Sequence, residues 1–451
     1  MIFESVNPYD GSLLQRYQGH DAATIEQVLQ RAAQAFEAWR LQSFEARAAC
    51  LQRAGQLLLA NKEDYARTMT LEMGKPIREA RGEIEKCAWV CRYYAEEAAG
   101  MLADEVIPTE AGESFVRHAP LGPVLAIMPW NFPFWQVFRF AAPNLMAGNT
   151  GVLKHAPNVF GCAMHIQQLL EEAGFPPGVF QNLIIHHEQT EEVIAHDAIK
   201  AVTLTGSERA GAAVAALAGK YIKKSVLELG GNNACIVLAD ADLDTCMDIA
   251  VNARMQNSGQ SCIAAKRFIV EAALYDDFVH AFAQRVSQLR CGNPLEEQTQ
   301  IGPLARRDLA ENLHRQMQQS IQLGARLLLG GKLDGCFFEP AVLTEVQPGM
   351  PVFEEETFGP LAAIIHAPDA GAAYHLARNS RFGLGVMVLT QDIERAKKHI
   401  DDMPDGAFFV NELVKSDPRL PFGGTHRSGY GRELARDGIL EFVNRKTVYI
   451  R

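Results

Sequence analysis

Two α/β domains, each built on a parallel sheet, are what this sequence predicts, and three observations carry the prediction. The chain has 451 residues, room for two or three domains at roughly 100–200 residues apiece. Beyond residue 120, short apolar runs alternate with helical stretches, the pattern made by parallel strands joined through crossover helices. That alternation comes in two series, the second beginning near Gly231.

The elements follow in order. Asp21 can cap a helix whose apolar residues Ile25, Val28, Leu29, Ala32, Phe36 and Trp39 recur at helical spacing. Ser43 to Gly74 and Pro76 to Leu102 continue in that style, with Gly74 and Pro76 breaking the chain between them. The first hundred residues therefore read as helices. The first α/β series then sets strands at Val124–Met128, Gly151–Leu153, Ala201–Leu204 and Ala234–Leu238 among helices at Gly161–Ala173 and Ala210–Ala218. The second has helices at Leu243–Gln256, Leu274–Leu289, Asp308–Leu323, Ala370–Asn379 and Ile393–Asp401. Its strands fall at Arg267–Val270, Leu361–Ile365, Val386–Leu389 and Ala407–Val410. Ser114–His118 and Lys446–Ile450 fit neither layer and read as exposed strands in need of a partner, one that another subunit could supply.

Composition excludes several classes. Lys and Arg number 43 against 54 Asp and Glu, a net charge of −11, opposite to the basic patch expected of a nucleic-acid binder. No apolar stretch reaches the roughly 18 residues of a membrane span. The start, MIFESVNPYDG, has no secretory pattern, so the expected location is the cytoplasm. Nine scattered cysteines suit reduced, mostly buried thiols better than a disulfide framework. Cys87 and Cys91 lie one helical turn apart without the further ligands zinc needs, and no metal site is predicted.

Four segments could carry chemistry. Met128-Pro129-Trp130-Asn131-Phe132-Pro133 follows a strand, where ligands of open α/β sheets bind; it offers a rigidly held amide, or merely a proline-stiffened loop. Thr205-Gly206-Ser207 feeds a helix N-terminus and could present N–H groups to a phosphate, or be an ordinary strand–helix turn. Leu227-Glu228-Leu229-Gly230-Gly231-Asn232 holds a poorly solvated acid, fit for general base work; a strand-end acid facing solvent is the alternative. Asn257-Ser258-Gly259-Gln260-Ser261-Cys262 delivers one cysteine on a polar turn, where a reactive thiol competes with a small core residue. Taken together, a thiol, a carboxylate, a fixed amide and a phosphate turn suggest an acyl-transfer site beside a nucleotide pocket.

With these segments the chain resembles the aldehyde dehydrogenases along essentially its whole length. The resemblance rests on PWNFP at 129–133, LKHAPN at 153–158, TGS at 205–207, LELGGNN at 227–233, NSGQSC at 257–262, EEETFGP at 354–360 and PFGGTHRSGYGRE at 421–433. Within that superfamily it is most similar to the shorter bacterial succinate-semialdehyde dehydrogenases. The resemblance implies a Rossmann-type cofactor domain over 1–108 and 121–230 and a catalytic domain over 231–418. It also implies a small β oligomerisation arm from 109–120 and 432–451, in a homodimer or homotetramer. It casts Cys262 as nucleophile, Glu228 as general base and Asn131 as oxyanion donor. Trp130, Lys154, Pro157, Gly206, Ser207, Glu356 and Phe358 become cofactor contacts, and Arg139, Gln256, Ser261 and Asp417 substrate contacts.

The implied activity is NAD(P)-dependent oxidation of an aldehyde to its acid through a cysteine thioester. Succinate semialdehyde is the first candidate, because Arg139 falls where relatives grip a carboxylate. Another semialdehyde or a neutral aldehyde stays open, since Gln256 and Asp417 stand where larger relatives have an arginine and a serine. A coenzyme A-acylating enzyme is disfavoured by Glu228, and a non-catalytic paralogue by the retained Cys262, Glu228 and Asn131. Pro157 replaces the acid that usually repels the 2′-phosphate of NADP, so both cofactors are admitted, with a slight lean to NAD. Ala264 leaves no second cysteine for a local redox switch.

Overall fold

A computed structural model describes all 451 residues. Its first large sheet has six strands, in the order Gly429–Tyr430, Lys224–Glu228, Ala201–Thr205, Pro123–Met128, Thr150–His155 and Phe180–Asn182. The last five run parallel and the first is antiparallel to its neighbour. From Pro123–Met128 the chain builds outward on one side, then returns to build outward on the other. The order therefore reverses between Pro123–Met128 and Ala201–Thr205, and crevices at such a reversal are where open α/β sheets bind ligands. Val124, Ala126 and Met128 enter one core cluster while Leu125 enters another. This strand is covered on both faces, and its near-continuous apolar run reflects that.

The second sheet has seven strands, ordered Arg326–Leu329, Ala341–Thr344, Leu361–Ala367, Arg267–Glu271, Ala234–Val237, Val386–Leu389 and Phe408–Val410. Only Arg326–Leu329 is antiparallel. Ala234 and Ile236 pack into one cluster, Cys235 and Val237 into the cluster on the opposite face. Five residues, Leu229 to Asn233, carry the chain from the first sheet into the second. No helix is long and apolar enough to cross a membrane.

Several expectations need correction. The chain begins with a β-hairpin, Ile2–Val6 against Leu13–Gln18, where helices were expected. Alternation betrays it: Phe3 and Ser5 are buried between exposed neighbours, and Gly11 takes φ +75° in the turn. The stretch from Ser43 is two helices, Phe44–Ala60 and Lys62–Met73, parted at Asn61. Helix Ile393–Lys397 is shorter than its apolar spacing suggested. The exposed strands need no other subunit to find a partner. Glu113–Pro120 and Val443–Ile450 pair with each other in antiparallel register, from Val443 opposite Pro120 to Ile450 opposite Glu113, and Glu105–Val106 extends the sheet. Helix Trp135–Met146 has every residue buried, so it has no polar face from which a helical period could be read.

Candidate active site

The site is assembled where the two sheets meet. Glu228 ends the strand Lys224–Glu228, and the next residues cross to the strand Ala234–Val237. Gly230 lies against Glu356 so closely that an added Cβ would overlap its Oε2, and Gly231 N–H donates to Glu356 Oε1 at 3.0 Å. The glycine pair is thus required by close approach, and it fixes Glu356 beside the crossing.

Cys262 is delivered by an unusual turn. Asn257, Ser258 and Gly259 are all left-handed, with φ of 55°, 52° and 72°, a conformation costing roughly 1–2 kcal/mol for each residue that carries a side chain. Side chains hold it in place. The Ser258 hydroxyl accepts from Gly302 N–H at 2.9 Å, and Gln260 Oε1 accepts from Ala305 N–H at 2.9 Å. The Asn257 amide donates to the Asn131 and Gln260 carbonyls at 2.9 and 3.0 Å. Arg254, fully buried, donates to the Leu361 carbonyl at 2.6 Å, to that of Thr357 at 2.9 Å, and to that of Gly359. Burial draws its pKa down to about 9.

Lys266, also fully buried, donates to the carbonyls of Ser261 at 2.8 Å and Cys262 at 2.6 Å, and sits 3.4 Å from Glu356 Oε1. Burial brings this ammonium down to about 8, against the pull of Glu356. The Cys262 thiol is pushed up to about 11 by burial; Lys266 and then Arg139 oppose that rise, and Glu356 and Glu228 add to it. Its backbone N–H makes no hydrogen bond within the chain. The Asn131 amide, 4% exposed, donates to the Gln260 carbonyl at 3.1 Å. Asn131 and Cys262 line the same cavity.

Two cavities have Cys262 in their walls. The first, about 400 Å³, runs from Trp130 and Asn131 past Thr205, Gly206 and Ser207 to Glu356 and Phe358. It occupies the crevice at the reversal of the first sheet. Trp130 and Phe358 meet edge to face at 5.7 Å along its wall. Ser207 caps the helix Glu208–Lys220, accepting from Ala210 N–H at 3.3 Å, which leaves its hydroxyl proton free to donate. The carboxylate of Glu208 at this helix start is engaged by Arg427 and Arg381. The second cavity, about 270 Å³, is lined by Lys86, Phe132, Trp135, Arg139, Gln256 and Ser416 among others. Cys262 and Gln136 belong to both walls.

Glu228 is 2% exposed and neither carboxylate oxygen has a hydrogen-bond partner. Burial, and then the carboxylate of Glu433, raise its pKa well above the usual range. Glu433 is itself buried and raised, and Arg139 pairs with it while donating to Thr205 Oγ1 at 3.3 Å.

Of the residues named from sequence, Trp130, Asn131, Gly206, Ser207, Glu356, Phe358 and Cys262 line the first cavity, and Arg139 and Gln256 the second. Lys154 and Pro157 lie beyond the first cavity's wall, Lys154 being 8% exposed at the end of its strand. Glu228, Ser261 and Asp417 line neither cavity. Ser261 is fully buried and lines neither cavity, because its carbonyl is drawn inward by Lys266. Asp417 turns its carboxylate to Arg419 at 2.7 and 2.9 Å, and its neighbour Ser416 faces the cavity instead. Gln136, Lys86, Lys266 and Glu433 were not singled out. A lysine at the head of the apolar strand run AAKRFIV was the signal available for Lys266.

A thiol in the walls of both a substrate-sized cavity and the crevice at the sheet reversal marks the candidate site. The aldehyde dehydrogenase family model matches residues 1–448. A probable succinate-semialdehyde dehydrogenase [NADP(+)] of Synechocystis sp. is 48% identical over the whole of both chains. The succinate semialdehyde dehydrogenase [NAD(P)+] Sad of Escherichia coli is 45% identical, covering 99% of this chain and 97% of its own. The solved succinic semialdehyde dehydrogenase of Streptococcus pyogenes, in complex with NADP+, superposes with a TM-score of 0.97 at 35% identity over 99% of each chain. The chain belongs to the aldehyde dehydrogenase family. A lean to NAD finds no support among these relatives, whose names print NADP or both cofactors; Pro157 carries no charge to turn the 2′-phosphate away.

Proposed function

We propose that the chain oxidises succinate semialdehyde to succinate with NADP, and with NAD less readily. The observation carrying this reading is the position of Cys262, the one ionisable side chain in the walls of both cavities that can act as a nucleophile. The first cavity suits a nicotinamide dinucleotide. Ser207 and the free N–H groups of the helix start can meet a pyrophosphate, the Glu356 carboxylate can accept from ribose hydroxyls, and Lys154, which has no carboxylate partner, can attract a 2′-phosphate.

The chemistry then rests on this chain's own groups. The thiol of Cys262 gives its proton to water in the cavity, and the resulting thiolate attacks the aldehyde carbon. The oxygen becomes an oxyanion, held by the Asn131 amide and the Cys262 N–H; one such donor is worth roughly 10²–10³ in rate. When bound, the nicotinamide group accepts the hydride lost from that carbon. What remains on Cys262 is a thioester. Glu228 takes a proton from water, the hydroxide adds to the thioester carbonyl, and the carbon–sulfur bond breaks to release the acid and the thiolate. The raised pKa of Glu228 suits it to that task, since its carboxylate is a stronger base than an ordinary one.

Names of relatives and the cation-bearing second cavity support succinate semialdehyde. One observation favours uncharged aldehydes as a second reading: the charge of Arg139 is already answered by Glu433. Cofactor reduction measured over a panel of semialdehydes and neutral aldehydes, with NADP and then NAD, decides between them. The expected result is a kcat/KM highest for succinate semialdehyde with NADP.

A further inference from the structure

Five charged residues stand in the wall of the second cavity, and four of them are already engaged. Glu83 pairs with the buried Lys75 and accepts from the N–H groups of Phe134 and Trp135, each at 2.9 Å. Glu79 accepts from Asn257 N–H. Arg139 pairs with Glu433, and Lys415 with Glu412 at 2.7 Å. The fifth is Lys86, from the middle of the long helix Ile77–Met101. It has no carboxylate within ion-pair distance, and the nearby Asp417 is held by Arg419. Its ammonium lies 4.3 Å from the ring centre of Trp135 and donates to the Ser416 hydroxyl at 2.8 Å.

We propose that Lys86 and Ser416 together receive the distal carboxylate of the substrate, making Lys86 the cation that sets the preference for a semialdehyde carrying an acid group. An ammonium has three donors. One is spent on Ser416, and the Trp135 ring covers another flank, so the charge is aimed into the cavity with donor capacity to spare. Ser416, itself 6% exposed, can donate its hydroxyl hydrogen bond to the carboxylate while accepting from Lys86. Burial and the Arg139 guanidinium make Lys86 hard to protonate when the cavity is empty, down to about 8; an arriving carboxylate relieves that penalty. Arg139 contributes positive potential, but Glu433 offsets most of it. Neither member of the pair stands out in the sequence: Ser416 adjoins Asp417, and Lys86 sits in a helix far from every motif.

This inference rests on the proposed substrate, so the experiment keeps the two apart. Butanal presents the same chain length without the acid. The reading of the substrate expects the wild-type protein to prefer succinate semialdehyde over butanal in kcat/KM; no preference in wild type overturns that reading. Given the preference, Lys86→Met is expected to raise KM for succinate semialdehyde roughly ten- to hundredfold, the usual worth of a hydrogen-bonded charge, with kcat little altered. The preference then collapses, and competitive inhibition by succinate weakens by a similar factor, a readout independent of turnover on the acid substrate. Ser416→Ala is expected to show the same pattern, weaker. A wild-type preference that survives Lys86→Met returns the role to Arg139 and overturns the inference. So does a loss in Lys86→Met shared equally by both aldehydes, which marks a merely structural lysine.

Discussion

Glu228→Gln separates the two halves of the reaction. The substitution keeps shape and removes only the ability to accept a proton, in a place where neither oxygen is bound by a neighbour, so little else should change. Thioester formation does not use this carboxylate. One equivalent of reduced cofactor per chain should therefore appear in the first turnover, after which hydrolysis, lacking a positioned base, slows by roughly 10²–10⁴. The pH profile supplies a second signature. In the wild-type protein Glu228 is protonated, and so idle, up to a pH well above the usual carboxylate range, because of burial and Glu433. Steady-state kcat should fall as pH falls through that raised pKa, and the limb should vanish from the variant's residual rate. Stability moves the other way. An acid whose pKa is higher folded than unfolded destabilises the fold once the solution pH exceeds its unfolded value. Removing the charge should thus raise Tm at pH 8, by about 1.4 kcal/mol of stability for each unit of raised pKa. Stopped-flow absorbance of the reduced cofactor gives the burst, and calorimetry gives Tm. Steady turnover within a few-fold of wild type, without a burst, would refute the role.

Other groups yield shorter tests. The Cys262 thiol, pushed up to about 11, should be alkylated by iodoacetamide about tenfold faster for each unit of pH from 7 to 10 in the cofactor-free protein; a plateau near pH 8 contradicts its burial. Lys266→Met removes the ammonium that most lowers this thiol's pKa and the bonds to the Ser261 and Cys262 carbonyls. Alkylation at pH 7 should slow, by about tenfold for each unit by which the thiol's pKa rises. Arg254→Met orphans three buried carbonyls; at about 1–3 kcal/mol each, urea unfolding should show a loss of roughly 3 kcal/mol or more. Pro157→Asp sets a carboxylate three residues after Lys154 and should lower kcat/KM for NADP at least about tenfold relative to NAD, a like-charge effect that added salt weakens.

How much of this was legible depended on where each residue found its partner. The parallel sheets were readable because strands covered on both faces announce themselves as apolar runs, as at Val124–Met128 and Ala234–Leu238. The opening hairpin was hidden by brevity: only the five-residue strand Ile2–Val6 alternates, and the six-residue strand Leu13–Gln18 buries Tyr17 alone. Helix Trp135–Met146 was hidden by the opposite cause, burial all round. Motifs located Cys262, Glu228 and Asn131 because their turns carry unusual residues. Groups whose meaning comes from a long-range partner left no such mark: Glu433 acts through Arg139 nearly three hundred positions away, and Lys86 through Ser416. Ser261 and Asp417 stand outside both cavity walls for a related reason. Adjacent residues on an irregular loop face different ways, and only the bonds to Lys266 and Arg419 decide which one faces the cavity.

The central claim is that one sulfur holds the acyl group between oxidation and hydrolysis. Glu228→Gln protein mixed with succinate semialdehyde and NADP, quenched in acid within the burst and analysed by peptide mass spectrometry, tests it most directly. The account predicts a single succinyl adduct on the peptide containing Cys262, equal in amount to the reduced cofactor formed. Reduced cofactor accumulating while Cys262 stays unmodified, or an adduct on any other of the nine cysteines, would contradict it.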